Sequence, residues 1–282
     1  MPKPVAITAD SPIDLSPELA KQFNIAIIPL YISLGGKTYR DGVDISPEDI
    51  FKRYEEDKII PHTSSIPIPD YNDFFRHFTD QGMAVVHFSL SSAISSTHQN
   101  ARIAASELDD VYVVDSRSLS TGIAMLALEA CELRDKGLAA ADIFDKANLR
   151  QNLVHQSFVV DKLEFLRKGG RCSALTALGA NMLNIHPSID MREGALELVG
   201  RHRGKIQTVQ LRYVEGRLAK VEDINLNRVI ICHSGIPSAQ LEAVREVIQN
   251  SQSFKEVLIT RAGCTISTHC GPNCLGLSFM QN

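Results

Sequence analysis

Several features that would assign a protein class directly are scarce or missing in this sequence. Its 282 residues contain no tryptophan, and no apolar run approaches the ~20 residues of a membrane span. The net charge is −4 and no basic stripe occurs, so the rows of cations that nucleic acids require are missing. The chain opens without a secretion-like segment. These absences predict a cytoplasmic protein without a membrane span or a nucleic-acid partner, although transient contact with a membrane surface stays open.

Motifs for nucleotides, nucleophiles and metals are also missing. Neither G-x-G-x-x-G nor the G-x-x-x-x-G-K-[ST] phosphate loop occurs, and no G-x-S-x-G elbow is present. Residues 35–38 resemble the end of a phosphate loop, but they are better interpreted as a hairpin turn between Ile32 and Tyr39. Three of the six cysteines surround His269 with the spacing C-x5-C-x3-C, which is not a familiar zinc pattern. We therefore expect free thiols, no metal and no cofactor.

The two halves of the chain have different patterns. In the first half apolar strand patterns alternate with helical ones, which is typical of a parallel sheet covered on both faces. Strands are predicted at 5–8, 25–32, 84–88 and 111–115. Residues 46–49 resemble a helical capping box. In the second half, Gly169 and Gly170 are expected to end a helix in a left-handed cap. Hairpin-like strands are predicted after it at 185–190, 196–199 and 207–212.

These patterns predict an α/β fold of two domains, which suits the chain length. The N-terminal domain, residues 1–155, is expected to be a parallel-sheet α/β/α domain. The C-terminal domain, residues 156–282, is expected to be mixed α+β.

Turns rich in serine and threonine follow the predicted parallel strands. They are 8–11, 62–65, 89–97 and 115–118. Ligands bind outside the carboxyl ends of parallel strands, and hydroxyls and helix N-terminal amides suit a carboxylate or a phosphate. Any one of these turns is better explained by helix capping, but several at one end of a sheet predict an anion-binding rim.

Other interpretations of these residues stay open at this point. Ser95 and His98 suggest a small hydrolase or acyl transferase, although such a pair needs a third group that orients the base. A protein that binds a phosphorylated metabolite is a further alternative. Arg171, which follows the two glycines, is either a solvated surface charge or an anion contact at the rim.

Motifs in order along nearly the whole chain resemble the DegV family. They are 8–11 (TADS), 28–30 (IPL), 39–42 (YRDG), 62–67 (HTSSIP), 90–99 (LSSAISSTHQ), 115–122 (DSRSLSTG), 166–171 (LRKGGR), 186–187 (HP) and 269–272 (HCGP). Ser96, His98 and His186 stand where the family usually has glycine, tyrosine and lysine. These departures concern head-group geometry and partner docking rather than the fold.

The resemblance implies one long-chain fatty acid bound between the two domains and no catalysis by the chain alone. A separate ATP-dependent fatty acid kinase is implied as a partner that phosphorylates the bound carboxylate. The residues implied in carboxylate binding are Thr63, Ser64, Ser95 and His269. Arg171 and His269 are implied in supporting the phosphoryl transfer.

Overall fold

The computed structural model describes residues 3–171 and 185–282, so Cys172 and Ser173, which follow Arg171, lie outside the described residues. Thirteen strands and ten α-helices form within these ranges. The strands are β1 Val5–Asp10, β2 Ile25–Ile28, β3 Tyr31–Leu34, β4 Lys37–Arg40, β5 His62–Ser64, β6 Ala84–Ser89, β7 Val111–Asp115, β8 Val154–Val159, β9 Ile185–Arg192, β10 Ala195–Arg203, β11 Ile224–His233, β12 Glu256–Arg261 and β13 Leu275–Gln281.

The helices alternate with the strands in the first half and are spaced more irregularly in the second. They are α1 Pro17–Gln22, α2 Pro47–Asp57, α3 Ile68–Thr79, α4 Thr97–Ala105, α5 Thr121–Asp135, α6 Ala140–Arg150, α7 Leu163–Gly169, α8 Ile206–Leu218, α9 Ser238–Ser251 and α10 Cys264–Cys270. The capping box predicted at Ser46 is present at the start of α2, where Ser46 and Asp49 satisfy each other's backbone N–H groups.

A four-stranded parallel sheet organises the N-terminal half, with the strand order β2-β1-β6-β7. All residues of β1 and β6 are buried, as expected for strands covered by helices on both faces. The predicted parallel α/β architecture is confirmed.

A six-stranded sheet with the order β10-β9-β8-β13-β11-β12 organises the C-terminal half. Only its β11–β12 pair is parallel, and the remaining neighbours are antiparallel. The predicted mixed α+β character of this half is confirmed. The domain limit at residue 155 stays a prediction; β8 begins at Val154 and pairs within this second sheet.

Helix α5 lies between the two large sheets and contacts β1 and β6 of the first and β8, β11 and β13 of the second. Ten of its fifteen residues are buried, so it is apolar around most of its circumference. The main hydrophobic core is continuous across the helix, because Ile230 and Met280 of the second sheet join the cluster built on the first. This packing joins the two sheets through one shared helix.

Two predicted strands are corrected by the structure. The run 25–32 is divided at Pro29 into β2, in the parallel sheet, and β3, in a separate antiparallel sheet with the order β4-β3-β5. Residues 207–212 belong to helix α8 and not to a strand. Val209, Tyr213 and Val214 are buried at helical spacing, and this burial outweighs the short alternation that suggested a strand. The predicted hairpin turn at 35–36 is confirmed, with Ile32 opposite Tyr39.

No helix in the described parts of the chain has the length and apolar character needed to cross a bilayer.

Candidate functional site

Two of the predicted hydroxyl-rich loops meet at one cavity. Strand β5 carries Thr63 and Ser64, and the loop between β6 and α4 carries Ser95 and Ser96. The hydroxyl of Ser96 donates a 3.0 Å hydrogen bond to Ser65, which joins the two loops. The cavity measures about 360 Å³ and its wall includes Thr63, Ser64, Ser65, Ser95, Ser96, Thr265, Arg171 and His269. The structure therefore brings to the same cavity the five residues implied in head-group binding and phosphoryl transfer, Thr63, Ser64, Ser95, Arg171 and His269.

Thr63 and His269 make a direct contact across 206 residues of sequence, with 2.9 Å between Thr63 Oγ1 and His269 Nε2. Strand β5 holds Thr63 by pairing with β3, where Thr63 lies opposite Ile32. His269 lies in the last turn of α10. Within the described residues its other ring nitrogen, Nδ1, has no hydrogen-bond partner.

The electrostatic environment of His269 favours the neutral ring. Burial is the main cause that lowers the pKa of His269 to about 4, and the nearby charges of Arg171 and His62 contribute in the same direction. A neutral imidazole next to a hydroxyl can donate or accept a hydrogen bond, depending on its tautomer. Near pH 7 the positive charge at this cavity therefore comes from Arg171 rather than from His269.

Helix α10, which carries His269, is held at its first residues by Asp41. The carboxylate of Asp41 accepts hydrogen bonds from Cys264 N at 2.8 Å, Thr265 N at 3.2 Å and Thr265 Oγ1 at 2.6 Å. Ser11 Oγ donates to the same carboxylate at 2.8 Å. Asp41 thus connects the start of α10 to the N-terminal half.

Asp14 adds a second carboxylate at the same place. It accepts hydrogen bonds from Gly263 N at 2.8 Å and from Ser120 Oγ at 2.5 Å. Burial is the main cause that raises the pKa of Asp14 to about 7, and the charge of Asp41 acts in the same direction. Asp14 and Asp41 position α10, and with it His269, against the N-terminal half.

The first predicted loop, 8–11, supports the site without lining it. Thr8 and Asp10 are fully buried, and Asp10 Oδ2 accepts a 2.8 Å hydrogen bond from Leu90 N, at the start of the loop that carries Ser95. His87 and Tyr71 bond the other oxygen of Asp10. Asp10 therefore fixes the origin of the Ser95 loop.

An apolar chamber adjoins the hydroxyl-lined cavity. The two share Leu119, Leu166, Leu196, Ile266 and His269, so they adjoin along a mainly aliphatic wall. The inner chamber is narrow, with a volume of about 50 Å³. Its further wall consists of Ser120, Gln156, Phe158, Cys232, His233, Ser234, Ala262, Cys270, Cys274 and Gly276. A molecule with a polar head and a slender apolar tail matches this arrangement.

The residues suggested for a hydrolase have other partners. His98 Nδ1 lies 2.8 Å from Ser89 Oγ, which itself donates to Val114 O at 3.0 Å. Ser95 Oγ lies 2.5 Å from Thr97 Oγ1 and accepts from Thr97 N at 3.2 Å. No hydrogen bond joins Ser95 to His98 over the residues described here, so the predicted Ser95–His98 pair is not formed.

Arg171 and His186 are engaged differently. Arg171 is exposed and donates from Nη1 to Gly169 O at 2.6 Å, at the edge of the cavity. His186 is buried; its ring lies 3.1 Å from Gly204 O and 3.4 Å from Asp161 Oδ1. His186 is not among the residues that line either chamber.

Sequence reasoning missed how two glycines shape the site. Gly170 caps α7 with a φ of 67°, as predicted, but Gly169 has a different role: a Cβ atom there would clash with His269 Nδ1. Gly271, with a φ of 71°, faces the ring of Phe165 on α7, at 2.6 Å from where its Cβ would be. The glycines at 169, 170 and 271 were visible in the sequence. Only the close approach of α7 and α10 shows that Gly169 and Gly271 leave no room for a side chain.

The chain was compared with known families and proteins. The family model described as "Uncharacterised protein, DegV family" matches residues 4–282. A DegV domain-containing protein from Staphylococcus aureus strain MRSA252 is 30% identical over 284 residues, covering 100% of both chains. One from Clostridium acetobutylicum is 28% identical over 282 residues, covering 98% of both.

Solved structures extend this likeness to the fold. A DegV family protein from Thermus thermophilus, described for its fatty acid binding, has a TM-score of 0.90 and 29% identity, with 100% of both chains covered. A stearic acid-binding protein from Eubacterium ventriosum has a TM-score of 0.86 and 26% identity, with 98% of both covered. Because the family model spans nearly the whole sequence, this chain belongs to the DegV family.

Proposed function

We propose that this protein binds one long-chain fatty acid, with the carboxylate at the hydroxyl-lined cavity and the tail along the aliphatic wall that this cavity shares with the apolar chamber. The observation that carries the proposal is that the polar cavity and the apolar chamber adjoin and share five lining residues, four of them aliphatic. The fatty acids bound by the Thermus and Eubacterium relatives support the same assignment.

The energetics assign different tasks to the two ends of the ligand. A tail of ~15 methylenes at about 0.8 kcal/mol each contributes on the order of 12 kcal/mol of gross burial. Each hydroxyl contact contributes only about 1 kcal/mol. The tail therefore sets the affinity, and the hydroxyls set which end of the molecule stays at the cavity mouth.

The carboxylate is assigned to Thr63, Ser64, Ser95 and His269. Thr63 and His269 share a hydrogen bond of 2.9 Å, and each side chain therefore orients the other. A ligand oxygen that accepts a hydrogen bond from either side chain meets a donor that is already positioned. Because the His269 ring is neutral near pH 7, it recognises the head group by hydrogen bonding rather than by charge.

The chain is proposed to present this carboxylate to a separate ATP-dependent fatty acid kinase. Arg171 supports that role, because an exposed guanidinium at the mouth can stabilise charge that develops as the carboxylate becomes an acyl phosphate. His269 is assigned to the same phosphoryl transfer, as a neutral ring next to the carboxylate oxygen that is phosphorylated. The ATP site lies on the kinase, and the ATP bound there supplies the phosphoryl group.

The test is lipid extraction and mass spectrometry of protein purified from a bacterial host, with an ester hydrolysis assay alongside. Fatty acid at close to one molecule per chain, without ester turnover, is the expected result. Ester turnover that disappears in Ser95→Ala would instead establish the hydrolase alternative. Protein that carries no lipid and takes up none when incubated with stearic acid would refute the proposal.

A further inference from the structure

A second, larger cleft lies on another side of the same two halves. It measures about 740 Å³, within the range of about 300–1,000 Å³ that is usual for small-molecule sites. Among the described residues it shares only Gln156 with the hydroxyl-lined cavity and the apolar chamber. Its wall is formed by Arg117, Ser118, Gln151, Asn152, Val154, His155, Gln156, Asp190, Met191, Arg192, Glu193, Gly194, Arg217, Lys220 and Val221.

The tip of the β9–β10 hairpin closes this cleft against the N-terminal half. Glu193 and Gly194 have φ values of 49° and 83°, the left-handed pair of a tight two-residue turn. Ser91 Oγ donates to Gly194 O at 2.7 Å, and Arg117 Nη2 lies 3.4 Å from Glu193 O. The cleft is therefore formed by contacts between the two halves and not by a single loop.

Unpaired buried polar atoms concentrate at this cleft. In the described residues, Ser118 Oγ, Gln151 Oε1, Asp190 Oδ1 and Arg217 Nε are buried without a hydrogen-bond partner, and all four residues line it. Ser118 and Asp190 are only 2% and 5% exposed. Buried polar groups are nearly always paired in native proteins, so such a cluster points to partners that a bound molecule supplies.

The charges of the cleft favour an anion. Arg117, Arg192, Arg217 and Lys220 face two carboxylates, Asp190 and Glu193. Asp190 Oδ2 is shared by two guanidinium groups, with Arg217 Nη1 at 2.9 Å and Arg192 Nη2 at 3.7 Å. Arg192 Nη1 also lies 3.7 Å from Glu197 Oε2. Four cations therefore meet three carboxylates at this cleft, and one positive charge is left for a ligand.

From these observations we infer that the cleft binds a phosphorylated, hydroxyl-rich small molecule of the sugar phosphate class. The phosphate accepts from Arg217 Nε and is attracted by Lys220. Ligand hydroxyls donate to Asp190 Oδ1 and Gln151 Oε1, two acceptors that the single O–H of a hydrogen phosphate dianion cannot both satisfy. The inference does not depend on the proposed fatty-acid function.

The experiment is isothermal titration calorimetry on the purified full chain with its bound lipid. The probes are ribose 5-phosphate and glycerol 3-phosphate, with ribose and inorganic phosphate as matched controls. The variants are Arg217→Gln and the exposed Lys220→Gln. Lys146→Gln, an exposed lysine on α6 that does not line the cleft, is the control variant.

We expect saturable binding of at least one sugar phosphate at one site per chain, tighter than either ribose or inorganic phosphate. Arg217→Gln should weaken it about tenfold and Lys220→Gln about threefold, with no change in Lys146→Gln. If Arg217→Gln does not fold, Lys220→Gln decides. No saturable binding of either probe, equal affinity for inorganic phosphate, or affinity unaffected by Lys220→Gln in a folded protein would overturn the inference.

Discussion

Gly169 and His269 pack so closely that any side chain at position 169 would overlap the Nδ1 edge of the imidazole. Because Gly169 has no Cβ, the His269 ring can take the position in which its Nε2 reaches Thr63. The second glycine of the pair, Gly170, only ends the helix.

Replacing Gly169 with alanine should therefore displace the His269 ring. Overpacking of this kind costs about 1–3 kcal/mol, and we expect both lower stability and about tenfold weaker fatty-acid binding. Gly216→Ala is the matched control, because a Cβ there has no atom within 4 Å and helix propensity favours alanine. Urea unfolding and lipid titration measure the two effects; full affinity in Gly169→Ala would contradict the ring displacement.

The carboxylate assignment predicts that Thr63→Ala and Ser95→Ala each weaken fatty-acid binding by roughly 1–2 kcal/mol, the value of one or two hydroxyl contacts. The fold should survive, since both side chains are only partly buried. Thr38→Ala, at an exposed position on β4, controls for the loss of a threonine. If neither site variant changes the affinity, the head group lies elsewhere.

The partner proposal predicts that Arg171→Ala keeps its lipid but loses phosphorylation when a cognate kinase is supplied. The reason is that an exposed guanidinium contributes little to burying the tail but stabilises developing charge on the head group. Lys168→Ala, an exposed cation three residues away, is the control. The assay follows acyl phosphate formation; a wild-type rate in Arg171→Ala would remove this role.

The buried His269 predicts a pH dependence of stability. Its pKa is about 4 in the folded chain and 6.5 in the reference state, so between these values the unfolded chain binds more protons. This contribution to stability is complete above pH 6.5 and is lost as the pH falls toward 4. It amounts to about 3 kcal/mol at most.

His269→Gln should accordingly lose less stability than the wild type between pH 7.5 and pH 4.5. Urea unfolding at the two pH values gives the difference. His77→Gln, at an exposed position, should follow the wild-type profile. A His269→Gln profile as steep as that of the wild type would show that other groups cause the acid sensitivity.

The hydrogen bonds that Asp41 accepts from the start of α10 predict that Asp41→Ala is strongly destabilising. It would leave buried donors on Cys264 and Thr265 without an acceptor, at about 1–3 kcal/mol each. We expect a loss of more than about 3 kcal/mol in the free energy of unfolding, with a smaller loss for Asp41→Asn. Asp145→Ala, at an exposed site on α6, is the control. Near-wild-type stability of Asp41→Ala would show that the position of α10 does not depend on the hydrogen bonds to Asp41.

Local patterns in the sequence were sufficient for much of the architecture. The alternation of strands and helices predicts the parallel sheet, Ser46 predicts the start of α2, and Gly170 predicts the end of α7. These succeed because capping, turns and burial periodicity act over a few residues. The loop 89–97 was found the same way, since it follows a parallel strand of the predicted sheet. The segment 62–65 was predicted as a loop, but its residues 62–64 instead form strand β5 of the antiparallel sheet.

Tertiary packing decided the rest. Only the fold shows that Thr63 meets His269, that Asp10 is a buried support rather than part of the rim, and that the 115–118 loop faces a different cleft from the Ser95 loop. It also divides the run 25–32 between two sheets and makes 207–212 helical. These outcomes depend on contacts between residues far apart in sequence, which determine burial and hydrogen-bond partners and which no local pattern encodes.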